Sequence, residues 1–269
     1  MQENTENIVE KRPAKRRWLL IILGLLLLLF AAWFTTVAVI SSNRKIDALN
    51  KEFAFKPGEK DKPDERIFSD SAFVSLDREK AWFQARNIMA ETDSISLSLD
   101  LPDSLAILEI NGVAVHTAKL LKMKIPKAFY SSDEYAVSSM LSIPFTVVDN
   151  ISTIKKEPLM LKVAPKDTSE YKPDILPDTT NRESVNYIMN ISNGFRLYVY
   201  QATDDEGGAL NRLFFDLHDR FKTIWYTLKE MIRFRIPEYN PSIRLFMKKE
   251  DAKIIFRALP VNGQIAVRR

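Results

Sequence analysis

The chain has no cysteine, two histidines and only seven glycines in 269 residues. Without cysteine there is no disulfide, no thiolate metal site, no cysteine nucleophile and no acylated cysteine. Seven glycines leave little material for phosphate-cradling loops, and no Gly-x-Ser-x-Gly elbow, His-Glu-x-x-His pair or carboxylate-rich metal loop is present. Strong charge of one sign is also missing. The 39 basic residues against 35 acidic give a net charge of +4, much of it ahead of the first apolar segment, so nucleic acid is not an expected partner. No metal and no cofactor is expected.

What is abundant is apolar residues, and one run of them is long. Residues 18–40, WLLIILGLLLLLFAAWFTTVAVI, carry no charge, and about 20 such residues suffice to cross a hydrocarbon core of about 30 Å. Trp18 and Trp33 stand near its ends, where indoles favour the interface. A cleaved secretory signal is the alternative, but its apolar region usually runs to only about 7–15 residues. Lys11, Arg12, Lys15, Arg16 and Arg17 precede the run, and only Arg44, Lys45 and Lys51 follow it closely. The basic flank 1–17 is therefore expected in the cytosol. The rest is expected outside it, in the periplasm of a two-membrane bacterium, with the bilayer as a partner through 18–40. No second run of spanning length is present.

Residues 41–66 read as a juxtamembrane helix and linker, with Ile46, Leu49 and Phe53 on one helical face and a break at KPGEKDKPDER. Residues 67–93 read as a helical lead-in. Asp77 is the expected cap of a helix through Ala90, with Trp82, Ala85 and Met89 on a shared face. From Ser94 the period changes to two: Ile95, Leu97 and Leu99 alternate in SISLSLD, SLAILEI resumes the pattern, and Asn111-Gly112 turns it into VAVHTAKL. Strands are also expected at 145–148, 158–164, 186–192 and 195–202, the last two joined at Asn193-Gly194. Residues 165–181 form a proline-rich loop, and Asp204, Asp205 and Glu206 suit the start of a helix. That helix, 208–235, has Leu210, Leu213, Leu217, Phe221, Ile224, Leu228 and Met231 on one face and is stopped by Pro237. It is expected to cover one face of the sheet; the sharper readings are self-association, or docking on a protein partner or the membrane.

The final segment reads YNPSIRLFMKKEDAKIIFRALPVNGQIAVRR. With the hairpin ISLSLDLPDSLAILEINGVAVHTAKL and the strand FRLYVYQAT, it resembles the L,D-transpeptidase catalytic domain, also called YkuD-like. That family closes with Ser-His-Gly-Cys-Ile-Arg-Leu, a helix holding an Asp-Ala pair, and a last strand. Ile243, Arg244, Leu245, Asp251, Ala252 and Ile265-Ala266-Val267 match this pattern. The resemblance covers about 94–269, with 208–235 as a helical insertion. It implies a mainly β, sandwich- or barrel-like domain, expected outside the cytoplasm behind the single transmembrane helix read from residues 18–40.

The departures fall on the chemistry. Ser242 stands at the nucleophile position, Asn240 at that of the neighbouring histidine, Pro241 at that of the glycine, and Tyr200 at that of the strand histidine. A serine hydroxyl needs a well-placed base even more than a thiol does. His116, on the early hairpin, and His218, on the inserted helix, are poorly placed by sequence to serve Ser242. The resemblance therefore implies a degenerate site at Ser242, Asn240 and Tyr200, with Arg244, Tyr239, Asn240 and Tyr200 as ligand-binding candidates. Arg244 reads equally as a carboxylate binder or as a structural ion pair to the preceding loop. The expected function is a catalytically inactive envelope protein that binds or scaffolds peptidoglycan-related components such as a stem peptide. The alternatives are a serine-dependent transpeptidase or hydrolase, and an interaction subunit of a membrane complex.

Overall fold

The computed structural model describes residues 14–55, 68, 70–156, 184–202 and 208–269. The linker at 56–66, the strand expected at 158–164, the proline-rich loop and the acidic residues 204–206 all lie outside them. Helix α1, Ala14–Glu52, is unbroken for 39 residues, about 58 Å at 1.5 Å per residue. Its first part is long and apolar enough to cross a membrane and is not buried against the rest of the chain. Its last turns do the opposite: Leu49 is buried in the main core, and Ile46 and Phe53 pack against it.

Helix α2, Ser71–Ala90, starts earlier than expected, because the carboxylate of Asp70 accepts from the amide of Ala72 and caps it. Asp77 is an interior residue of that helix, and the cap assigned to it is corrected to Asp70. Strands β1 (Ile95–Asp100), β2 (Leu105–Ile110) and β3 (Val113–Lys124) form an antiparallel meander. Between β2 and β3 the pair Ile110↔Val113 leaves a two-residue turn, with Asn111 at φ 50° and Gly112 at φ 76°. Both left-handed positions are what an Asn-Gly hairpin supplies at least cost. Two short helices follow, α3 (Ala128–Ser131) and α4 (Glu134–Leu141). The sequence reading missed both, although Ala136, Val137, Met140 and Leu141 have helical spacing and are buried.

Strands β4 (Phe145–Ser152), β5 (Asn186–Ile191) and β6 (Phe195–Gln201), helix α5 (Gly208–Ile232), strand β7 (Ser242–Met247), helix α6 (Lys249–Ala258) and strand β8 (Gln264–Arg268) complete the elements among the described residues. The eight strands close into a barrel in the order β1-β2-β3-β7-β6-β5-β4-β8. A mainly β domain behind a long apolar helix is thus the observed architecture. β6 and β7 are parallel neighbours, and parallel neighbours require a crossover. α5 belongs to that crossover.

Alternation decides what each strand turns inward. Phe195, Leu197 and Val199 of β6, and Ile243, Leu245 and Met247 of β7, join the main core, to which α6 adds Ala252, Ile255 and Phe256. Arg196, Tyr198 and Tyr200, with Ser242, Arg244 and Phe246, lie on the opposite face. α5 does not end at Pro237 but earlier: Arg235 N–H donates to Glu230 O at 2.9 Å and Phe234 N–H to Met231 O at 3.0 Å. Phe234 takes the left-handed conformation, φ 54°, at the position where such a helix end usually places glycine.

Candidate functional site

The outer face of β6 and β7 carries a ladder of polar and aromatic groups set by the two-residue period. In the parallel register Arg196 stands beside Ser242, Tyr198 beside Arg244 and Tyr200 beside Phe246. The Tyr198 ring lies between two guanidiniums, with Arg196 Cζ at 5.1 Å and Arg244 Cζ at 5.0 Å from its centroid. Such stacking suits the planar, weakly hydrated guanidinium.

Arg196 is committed to the fold. It donates to both oxygens of Asp219 on α5, at 2.7 and 3.2 Å, and to Asn190 Oδ1 at 3.1 Å. Tyr198 Oη donates to Asp219 Oδ2 at 2.8 Å, and Tyr200 Oη to Asp216 Oδ1 at 2.6 Å. Burial, with these carboxylates as acceptors, pushes both phenols well above the ordinary tyrosine range. Tyr200 also stacks on Phe246 at 5.0 Å. It is a buried strut under α5 and not a free acid or base.

Arg244 is placed differently. Among the described residues no carboxylate pairs with it. Its guanidinium rests on Tyr198 and faces a cleft of about 730 Å3 that Tyr239, Asn240, Ser242 and Arg196 also line. Burial raises the Tyr239 phenol above its usual range. The structure therefore brings Ser242, Asn240, Tyr239 and Arg244 to one cleft. Tyr200 opens instead on a smaller neighbouring hollow of about 450 Å3, which shares only Arg244 and Arg220 with the first.

Neither histidine lines the cleft. His116 Nε2 lies 3.1 Å from Asp251 Oδ1, joining β3 to α6, and His218 is exposed on α5. Pro241 gives no amide N–H ahead of Ser242, and its carbonyl accepts from Arg196 N–H at 2.9 Å. What the arrangement supplies is a half-exposed cation on an aromatic platform beside hydroxyl and amide groups. A guanidinium so placed can accept an anion or a carboxylate; Asp149, Asp219 and Glu238 also line the cleft, and no histidine lines it as a base for Ser242.

Sequence reasoning missed Arg196, Tyr198, Asp216 and Asp219. The signal was available in part, since Arg196, Tyr198 and Tyr200 recur at a spacing of two in FRLYVYQ while Leu197 and Val199 fill the other face. Asp216 and Asp219 are three apart on α5 and share its polar side, but nothing local says that this side meets the barrel.

The cleft sits where α1 reaches the barrel. Phe34, Ala38 and Ser41 of α1 form part of its wall, and Ser41 Oγ donates to Pro237 O at 2.6 Å. A side chain at Gly194 would meet Lys45 Nζ at 3.1 Å and Asn240 Oδ1 at 3.4 Å. The β5–β6 turn, the last turns of α1 and the strand entry to β7 therefore converge on one end of the barrel.

No family model matches the chain, and no curated protein matches it. Among solved structures it is similar to L,D-transpeptidase 3 from Mycobacterium tuberculosis in complex with a faropenem-derived adduct, at 12% identity and a TM-score of 0.28. The match covers 65% of this chain and 60% of that one.

Proposed function

We propose that the protein is anchored in a bacterial inner membrane by residues 18–40 and holds its barrel on the periplasmic side. There it binds a carboxylate-bearing envelope peptide, such as a peptidoglycan stem, without cleaving it. The observation that carries this reading is Arg244: a guanidinium stacked on Tyr198, facing the cleft and unpaired by any described carboxylate, beside a Ser242 with no histidine in the same cleft. The resemblance of the closing segment to L,D-transpeptidases supports the choice of ligand. The cleft lies beside the outer end of the apolar helix, which suits a ligand presented at the membrane surface.

Calorimetric titration of the full chain in detergent micelles with a tetrapeptide stem tests it. Arg244→Met abolishes the heat of binding while Ser242→Ala preserves it. Exchange or hydrolysis of stems that is lost on Ser242→Ala would replace this reading with a serine-dependent enzyme.

A further inference from the structure

α5 is mounted with its apolar face outward. Phe215 and Met231 turn toward the protein, but Leu213, Phe214, Leu217, Phe221, Ile224 and Trp225 are all exposed, Phe221 at 68%. Asp216 and Asp219, on the other side, are the groups that hold it to β6. Contiguous exposed apolar surface of this kind marks an interaction site, and its depth says with what. The cleft that takes Ile224 and Thr227 of α5 as one wall takes Phe34 and Ala38 of α1 as another. The hydrogen bond from Ser41 to Pro237, just past α5, fixes the same level. From Phe34 to Ser41 is about 10 Å along a helix, so α5 passes beside the final turns of the apolar segment. A helix lying in the membrane interface buries its apolar face about 5–10 Å into the headgroup and acyl boundary. Arg220 and Lys222, which also line the cleft, Lys229, and Arg233 and Arg235 just past the helix are exposed, and long cationic side chains of this kind reach anionic headgroups.

We infer that α5 lies in the plane of the membrane, its Leu217–Phe221–Trp225 face among the acyl chains of the leaflet at the outer end of the 18–40 span. This seats the barrel on the bilayer at a second point, with the Arg244 cleft between the two. The inference rests on the anchoring of residues 18–40 proposed above.

The absence of cysteine makes any introduced cysteine a unique label site. The full chain is reconstituted in vesicles of phosphatidylethanolamine and phosphatidylglycerol with a nitroxide on Phe221→Cys, on Leu217→Cys as a second position, on His218→Cys and on Leu26→Cys. Collision with oxygen and with a water-soluble nickel chelate is then measured. Labels at 217, 221 and 26 are expected to be several-fold more accessible to oxygen than to nickel, and the label at 218 less so. Nickel access at 217 and 221 with lipid exposure at 26 overturns the inference and leaves the anchor standing. Nickel access at 26 as well overturns both. Shielding of 221 from both reagents with spin–spin broadening assigns the face to a second copy and overturns the inference in favour of self-association.

Discussion

Helices α2 and α5 are both mounted on the barrel, in opposite senses. α2 turns Trp82, Ala85 and Met89 inward, where they pack with Ala266 of β8. α5 turns its carboxylates inward and its larger apolar face out. The difference lies in the surface beneath. Under α2 the barrel offers a small apolar residue that rewards burial of a tryptophan. Under α5 it offers Arg196, Tyr198 and Tyr200, whose donors would be stranded beneath an aliphatic face. An amphipathic helix therefore takes its orientation from the polarity of its support, and the face left over becomes a surface for something else.

The largest effect that would break this comparison is expected at the α5 contact. Asp219→Ala leaves the part-buried Arg196 without its carboxylate and removes the acceptor of the buried Tyr198. A loss of about 3–5 kcal/mol is expected, read as a lowered denaturation midpoint and loss of protease protection over α5. On the other helix, Trp82→Ala empties a buried site and should cost about 3 kcal/mol. Phe221→Ala, on the outward face of α5, leaves no cavity inside the protein and should cost less than Trp82→Ala. Equal losses at the two positions would mean that α5 also packs inward by its apolar face.

A smaller change of opposite sign is expected at the end of α5. Phe234 is fully exposed in a left-handed conformation, which costs a residue with a Cβ about 1–2 kcal/mol. Phe234→Gly should accordingly raise the unfolding free energy by about 1 kcal/mol in micelles. The smallest effect concerns α2. Arg78 on that helix and Arg269 both bond Glu134 of α4, at 2.6 and 3.1 Å. Burial works against ionisation of Glu134, yet the two guanidiniums hold its carboxyl below the usual glutamate range. Because the folded value is the lower one, its contribution is complete above the ordinary glutamate value of about 4.3. It fades as pH falls through the folded value. Glu134→Gln should flatten the acid limb of a stability-against-pH curve.

Much of the fold is legible because its signals are local. Alternation gives the strands from Ile95 to Ile110, and the left-handed turns at Asn111-Gly112 and Asn193-Gly194 are where their side-chain chemistry places them. The Asp77 cap was misread because Asp70 and Asp77 both precede helical spacing, and only the hydrogen bond to Ala72 distinguishes them. The candidate site is half legible. Ser242 and Arg244 follow from the closing motif, whereas the partner of Tyr200 and the pairing of Arg196 with Asp219 depend on a segment some twenty residues downstream crossing back over the strand.

By itself the sequence determined a long apolar helix, strands with one apolar face each, and an amphipathic helix over 208–235. These are properties of composition and period, and period is local. Tertiary structure alone decided that the polar side of α5 meets the barrel, that Arg196 is consumed by Asp219 while Arg244 is left facing the cleft, and that this cleft opens beside the end of α1. The physical reason is that a buried donor must find its acceptor wherever the chain brings one, and periodicity records which residues share a face but not what that face will meet.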